Sequence, residues 1–570
     1  MQCFDGLRWR HVPDVKPGNG LVGIKTQVTV PLFPIGARAA FGYGSLTRWS
    51  AVAKIAKYIM AEGLAATLRK VKSRHLDREL LNSRWLVSVF GRRMDDDKPV
   101  WGLAPFDLPF SEFVLVPPQL TFELPPNVAE ETMPWLGVVL PFGTDENTVP
   151  HEDAVAQLQQ AYRNVAGLNP HAPVFPQLPD WLNQRNVEKA VPGVMRGCFG
   201  AWRSICTQIT RPKPQIRAAT TYAAEADSES PGSILVGAGN YARVVVLPSV
   251  RRAGIHLNWV VDLDPLIAQR CKEEYGFTHA TTDISDTLAD PRSSIASICT
   301  YHHTHAELAQ LLLKAGKKVI IEKPPVTSFR QLANLCVCAS EHPDRWAVGY
   351  NRRYAPDVKQ FRKALEGRSA PVTITCIIQE VRLPEWHWYN LPIEGGRTIS
   401  NLCHWIDLGC HLVGGALPEE ISCFPVVKGC DGDTSVTVRF ADGSALNLIL
   451  SMRGDETLGM TEYIDVRCGD LTGSINDFGE ARICRSGRSL YKRKGRRNRG
   501  HGAMYSDILR RFVDNQPQLF GLDDLWLSSA LMLIIREMHL HGETTRDVRD
   551  FLSNRFLPSE PSLLIETQLT

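Results

Sequence analysis

The feature that most constrains this chain is a strand that runs into a glycine-punctuated turn. Residues 234–242 read Ile-Leu-Val-Gly-Ala-Gly-Asn-Tyr-Ala. Ile234–Val236 is a short apolar run of the kind that forms a buried strand. Gly237 permits the tight turn, and Gly239 lets backbone N–H groups approach a pyrophosphate. Ala242, in place of a third glycine, allows close packing of helix on strand. Asn240 and Tyr241 lie where that helix begins, with its positive end toward the phosphates. A second apolar strand, Leu257–Val261, follows and ends in Asp262. An acid there accepts hydrogen bonds from ribose hydroxyls and favours NAD over NADP, which stays possible. Asp264-Pro265 comes next, so Asp262 also reads as a turn or helix-start aspartate.

About 85 residues further on stands Val319-Ile320-Ile321-Glu322-Lys323-Pro324-Pro325. The β-branched run reads as a buried parallel strand, and the two prolines forbid its continuation. Lys323 therefore lies at the carboxyl end of a strand, where open α/β sheets bind ligands. Residues 233–352 alternate strand and helix patterns, which predicts a Rossmann-type, doubly wound parallel sheet in an α/β fold. Residues 353–570 predict an α+β domain with a large, mostly antiparallel sheet. Its strands include Val372–Val381, Ser435–Phe440, Ala445–Met452 and Tyr463–Cys468, and helices near 503–514 and 522–541 close it. Residues 1–145 are rich in proline, glycine and β-branched residues and read as a β-rich domain with one helical insertion. Residues 146–232 read as a helical or irregular connector with Pro-rich pieces, ending in the polar linker Ala223–Gly232.

The 570 residues are enough for three or four domains. A hydrophobic content of 44% with 22% charged residues marks an ordinary soluble globular chain, and the net charge of +3 gives no reason to expect a nucleic-acid or membrane partner. The N-terminus lacks a basic region followed by an apolar run, and no apolar stretch approaches the roughly 20 residues that span a bilayer. The 14 cysteines form no CxxC pair and read as reduced thiols of a cytoplasmic protein.

Five stretches, in order, resemble the glucose–fructose oxidoreductase / inositol dehydrogenase / MocA (Gfo/Idh/MocA) family over residues 233–540. They are Val236–Ala242, His305–Leu308, Gly316–Pro324, Val348–Tyr354 and Cys403–Asp407. The resemblance implies an NAD(P)-dependent oxidoreductase acting on a carbinol or ketone of a sugar, cyclitol or sugar nucleotide. It places Glu322 and Lys323 beside the nicotinamide, with a cis Lys323–Pro324 bond. Lys323 would stabilise a developing alkoxide, and desolvation would lower its pKa enough to join a proton relay. His404 would be the general acid/base, with Asp407, at i, i+3 on the same helix face, orienting the imidazole or contacting substrate. Many members carry an aspartate four residues before this histidine, and a subgroup carries a glutamate three before it. Here Ser400 and Asn401 occupy those places, which removes a carboxylate and leaves both as candidates for substrate contact.

Further candidates follow from the same resemblance. Thr300, His303 and His305 sit where the family contacts ribose or nicotinamide. The histidines of Tyr301-His302-His303-Thr304-His305 show no fixed metal-ligand spacing, so no metal is expected. Arg352 and Arg353 follow the strand Trp346–Tyr350 and could hold a cofactor, an active-site loop or an anionic substrate. The basic run Lys492–Arg499 reads as a solvated loop, with a phosphate-binding role as the alternative. Residues 1–145 more faintly resemble the GroES-like part of medium-chain alcohol dehydrogenases, through Val12–Gly18, Glu62–Arg69 and Phe113–Pro117. The family commonly forms homo-oligomers through its antiparallel sheet. Two other functions remain open: a nucleotide-binding scaffold or sensor with impaired catalysis, and an imine or enone reductase on the same fold.

Overall fold

The structure is a computed structural model that describes residues 231–381, 389, 394–426, 432–454 and 459–553. In the N-terminal part it describes residues 2–4, 9–11, 22–34, 64, 67–68, 85–104, 113–116 and 121–123. The connector 146–230 and the stretch Val12–Gly18 lie outside the described residues, as do most of the helical insertion and of the linker before Gly232. Two compact units divide what is described: the first holds the N-terminal strands and residues 260–286, the second residues 231–259 and 287–553.

In the N-terminal part, β1 (Gln2–Phe4) and β2 (Trp9–His11) form an antiparallel pair. A five-stranded antiparallel sheet contains β3 (Val22–Pro34), β4 (Trp85–Arg93), β5 (Pro99–Ala104), β6 (Phe113–Val116) and β7 (Thr121–Glu123), in the order β6-β3-β4-β5-β7.

The six strands that follow are β8 (Gly232–Val236), β9 (His256–Val261), β10 (His279–Thr281), β11 (Ser293–Ile298), β12 (Lys318–Ile321) and β13 (Trp346–Val348). They form one sheet in the order β10-β9-β8-β11-β12-β13. β11 pairs in parallel with β8 and β12, and β12 with β13. Runs such as Ile234-Leu235-Val236 and Val319-Ile320-Ile321 are buried along their whole length, as expected of parallel strands covered on both faces. The strand order reverses between β8 and β11, and ligands of open α/β sheets bind at the carboxyl ends of the strands at such a point. Gly237, Cys299-Thr300 and Glu322-Lys323 leave β8, β11 and β12 on that side. Backbone bonds join these ends: Cys299 N donates to Val236 O at 2.7 Å and Glu322 N to Ile298 O at 3.1 Å.

The helices between these strands start and stop for local reasons. The run after Gly239 opens with a π-helical segment, Ala242–Val246, and continues as α1 (Leu247–Arg252). α2 (Pro265–Tyr275) is capped by Asp264, whose carboxylate accepts from the N–H groups of Leu266 and Ile267 at 2.9 and 3.2 Å. α3 (His305–Lys314) and α4 (Phe329–Glu341) pack on each other. α5 (Pro356–Ala364) leads out of the nucleotide sheet.

The second sheet has nine strands: β14 (Val372–Gln379), β15 (Pro418–Pro425), β16 (Thr434–Phe440), β17 (Ala445–Ser451), β18 (Thr461–Cys468), β19 (Leu471–Asn476), β20 (Glu480–Arg485), β21 (Arg488–Lys494) and β22 (Thr545–Asp547). Their order is β21-β20-β19-β18-β14-β17-β16-β15-β22, with β14 and β17 parallel and the other paired strands antiparallel. Alternate residues of β14 (Val372, Ile374, Cys376, Ile378) are buried. That is the period of two expected when one face meets a core. α6 (Cys403–Val413) covers that face beside α8 (Leu522–His541), while α7 (His501–Val513) packs on α1. The ten described cysteines from Cys271 to Cys484 are free thiols. No helix among those residues is long and apolar enough to cross a membrane.

Candidate active site

The glycine turn is built as its sequence requires. Gly237 has φ of 87°, and a Cβ there would lie 2.6 Å from Cys299 O, so neither the conformation nor the packing admits a side chain. A Cβ on Gly239 would meet nothing within 4 Å. The backbone at Gly239 therefore faces open space at the start of the helix, room of the kind a pyrophosphate needs. The buried Arg243 closes the turn from behind, donating from Nη1 to Ala238 O at 2.7 Å. Tyr241 sets its ring edge-on to His501, with centroids 6.1 Å apart. Asp262, directly after β9, accepts the Asp264 N–H at 3.0 Å, so the turn role read from the sequence is realised.

Lys323 follows β12 through a cis peptide bond to Pro324. Its Nζ donates to Ser400 O at 3.1 Å, which joins the strand end to the segment before α6. Glu322 turns into the interior, where the Tyr505 hydroxyl of α7 donates to it. Burial raises the Glu322 pKa against the opposing pull of Tyr505 and Lys323. The expected downward shift of Lys323 is not found. Burial does act against its charge, but Tyr389, Cys403 and Glu322 outweigh it and hold the pKa above the usual lysine value. Lys323 is an ammonium at neutral pH, suited to donating hydrogen bonds and not to exchanging protons.

The segment before α6 is a π-helical turn, Thr398–Leu402. It begins after Gly395, where φ is 83° and a Cβ would sit 2.3 Å from Ile399 Cγ1. Single π turns place an extra residue in a helix and recur at functional sites. Here the turn directs the Ser400 carbonyl to Lys323 and turns the Ser400 hydroxyl to Asn401 Oδ1 at 3.1 Å. His404 follows at the start of α6, with its ring edge toward Tyr350 at 6.3 Å. Its Nδ1 is buried and has no hydrogen-bond partner. Burial, then the charges of Arg352 and Lys323, press its pKa well below the usual histidine value. Both effects favour the neutral imidazole.

Other expected site residues are committed elsewhere. Asp407 does not orient His404: Arg353 grips its carboxylate, with Nε 2.9 Å from each oxygen and Nη2 at 2.7 Å from Oδ1. Burial raises the Asp407 pKa to about 6 in spite of that arginine. Arg353 also pairs with Asp524 at 2.9 Å, so it holds α6 and α8 together and is not offered to a substrate. Arg352 is spent on the buried Glu462, with its guanidinium 4.4 Å over the Trp405 ring. Arg499, from the basic run, takes the other Glu462 oxygen at 2.6 Å, so this end of the run is a buried ion pair and not a solvated loop. His305 points to backbone, with Nδ1 2.7 Å from Pro324 O and Nε2 3.2 Å from Thr300 O. It thereby ties the end of β11 to the Lys323–Pro324 turn. His303 Nδ1 meets Glu394 at 2.8 Å, and Thr300 Oγ1 meets Thr304 Oγ1 at 2.7 Å. Among the described residues no group of three His, Cys, Asp or Glu side chains could hold a metal ion.

Two carboxylates near these residues went unread in the sequence, Glu380 and Glu462. Both fall on the inward parity of their strands: Glu380 continues Val372, Ile374, Cys376, Ile378, and Glu462 precedes Ile464 and Val466. A glutamate that interrupts an otherwise apolar inward row was the available signal.

The sequence pattern of an oxidoreductase family with an NAD-binding Rossmann fold matches residues 233–350. Inositol 2-dehydrogenase of Rhizobium meliloti is 31% identical over 240 residues, which cover 41% of this chain and 71% of that protein. The chain belongs to the Gfo/Idh/MocA family. A second relative, D-glucoside 3-dehydrogenase of Escherichia coli, is 27% identical over 199 residues, or 34% of this chain and 54% of that protein. A solved oxidoreductase of Desulfitobacterium hafniense, named as NADPH-dependent, shares the fold with a TM-score of 0.50 at 14% identity, covering 57% of this chain and 99% of its own. The family's NAD-binding fold accounts for the strand order and the glycine turn.

Proposed function

We propose that this protein is an NAD-dependent dehydrogenase that moves a hydride between the nicotinamide and a carbinol carbon of a sugar, cyclitol or sugar nucleotide. The observation that carries the reading is the contact of Lys323, at the end of β12 beside the switch point of the nucleotide sheet, with the turn that leads into His404. Bound NAD supplies the hydride acceptor. Gly237, Gly239 and the helix start at Asn240 hold its pyrophosphate. The Lys323 ammonium donates to the carbinol oxygen and stabilises the negative charge that develops as hydride leaves. His404, held neutral, accepts the hydroxyl proton in oxidation and returns it in reduction. The names of the two relatives, an inositol and a glucoside dehydrogenase, favour a polyhydroxylated substrate.

The same reading makes the protein a cytoplasmic homo-oligomer. Ile377, Ile449 and Tyr463 are exposed on the outer face of the nine-stranded sheet. Ile377 stands directly beside the other two across the ladder, so they form one apolar patch of the sort that marks an interface.

A direct test is reduction of NAD by the purified protein with inositols, glucosides and sugar nucleotides, repeated with NADP. Turnover of at least one polyol, faster with NAD, is expected. Binding of NADH without turnover of any of them contradicts the reading.

A further inference from the structure

Glu380 extends β14 on the parity that faces the interior, and it is only 8% exposed. Its N–H donates to Ser451 O at 2.8 Å, so the ladder fixes where its side chain begins. The Glu380 carboxyl lies near enough to Arg397, Glu462, Arg352 and the Asn401 side chain for each to act on its charge. Asn401 Oδ1 already accepts from the Ser400 hydroxyl at 3.1 Å, so the NH2 end of the amide is the end offered to Glu380. The Ser400 carbonyl in turn receives Lys323 Nζ at 3.1 Å. Polar contacts thus run from the strand-end lysine into the π turn, and the Asn401 side chain in that turn lies near a carboxylate on the sheet. A buried carboxylate is costly unless it is paired and hydrogen-bonded. Glu462, beside it, is already taken by Arg352 and Arg499, so of these two carboxylates among the described residues Glu380 is the one near Asn401.

We propose that Glu380 is the carboxylate of this active site, carried on the sheet instead of on the segment before His404, and that it positions Asn401 to take a substrate hydroxyl next to the reacting carbinol. The proposal rests on the reading of the protein as a polyol dehydrogenase and names the feature it selects, a second hydroxyl beside the one oxidised. The Asn401 carbonyl keeps a second lone pair after Ser400 has used one, and a substrate hydroxyl can donate to it. Glu380 holds the amide in that orientation and sets a negative charge against Arg352 and Arg397. Burial places its pKa above the usual glutamate range despite Arg397. The charged form therefore appears only as pH rises through that elevated value, and the activity that depends on it rises along an acid limb.

The test uses the full chain, with NADH affinity followed by fluorescence and kcat/KM for the accepted polyol followed across pH. Glu380→Gln is close in shape and keeps an acceptor for Asn401 but lacks the charge. It is expected to lower kcat/KM by roughly tenfold or more and to move the acid limb to lower pH, where protonation of His404 sets it, with the NADH Kd within about twofold of wild type. Glu380→Asp should keep the limb. Exchanging the pair, Glu380→Asn with Asn401→Glu, returns a carboxylate to the helix segment and should recover most of the loss. Asn401→Glu alone, which sets two carboxylates in contact, should not. The proposal is overturned if Glu380→Gln keeps the wild-type pH profile and kcat/KM, or if it loses NADH affinity in step with activity, as a purely structural residue would. Wild-type protein that binds NADH and oxidises no polyol removes the functional reading, and this proposal with it, before any variant is made.

Discussion

Burial and the charges of Arg352 and Lys323 act on His404 in the same direction, and both favour the neutral imidazole. Lys323 is subject to the opposite balance, since the anion-forming groups around it outweigh the cost of burying its charge. Two basic side chains in one site thus take different protonation states, which lets one donate to an oxygen while the other receives a proton. His404→Asn should therefore lower kcat by about 10²–10⁴. NADH fluorescence should report unchanged cofactor affinity; a variant with near-normal kcat contradicts the assignment. Lys323 and His404 stand out in the sequence because each lies in a short local motif. The pairing of Asp407 was not: i, i+3 spacing puts it near the face of His404, but Arg353 stands 54 positions away in sequence and competes with a bidentate bond. Only the fold brings that partner into range.

Whole segments in this region are held by buried ion pairs. Glu462 on β18 accepts from Arg352, which follows β13, and from Arg499, just before α7. One carboxylate therefore links the nucleotide sheet, the nine-stranded sheet and a closing helix. Burial opposes its charge, but the two arginines outweigh that and lower its pKa from 4.5 to about 2. A depressed carboxylate pKa stabilises the fold above the unfolded value, and that stability is lost as pH falls toward the folded one. Between these two values the protein should lose about 3 kcal/mol. Glu462→Gln should lower stability at neutral pH by about 3–5 kcal/mol, because it removes the buried charge that Arg352 and Arg499 share. Urea unfolding at neutral and acid pH checks both statements, and a variant as stable as wild type and equally sensitive to acid contradicts them. The strands themselves were readable from period and β-branching, yet the parity of Glu380 and Glu462 was passed over. In a sequence, a glutamate at the end of a strand looks like the start of a loop. Only the pairing of Ile378 with Glu462 across β14 and β18 fixes it as inward.

At the scale of the molecule, the order β10-β9-β8-β11-β12-β13 follows from two legible facts. A glycine turn after the first strand commits the chain to a dinucleotide fold, and parallel strands with right-handed crossovers leave few other arrangements. The nine-stranded sheet was legible as alternating strands, but its parallel β14–β17 pair was not, because strand direction depends on connections that period alone does not encode. The outer face of that sheet carries the proposed self-association. Replacing Ile377 and Ile449 together with aspartate puts two like charges side by side at the patch and should release monomers in sedimentation analysis, with NADH still bound. A mass unchanged from wild type, at any assembly state, contradicts that use of the face.

The most direct test of the account compares wild type with Lys323→Ala, measuring NADH binding and polyol-dependent NAD reduction in the same preparations. NADH affinity should stay within about twofold and turnover should fall by roughly 100-fold or more, since one preorganised donor to a developing oxyanion is lost. Turnover that survives the substitution would contradict it.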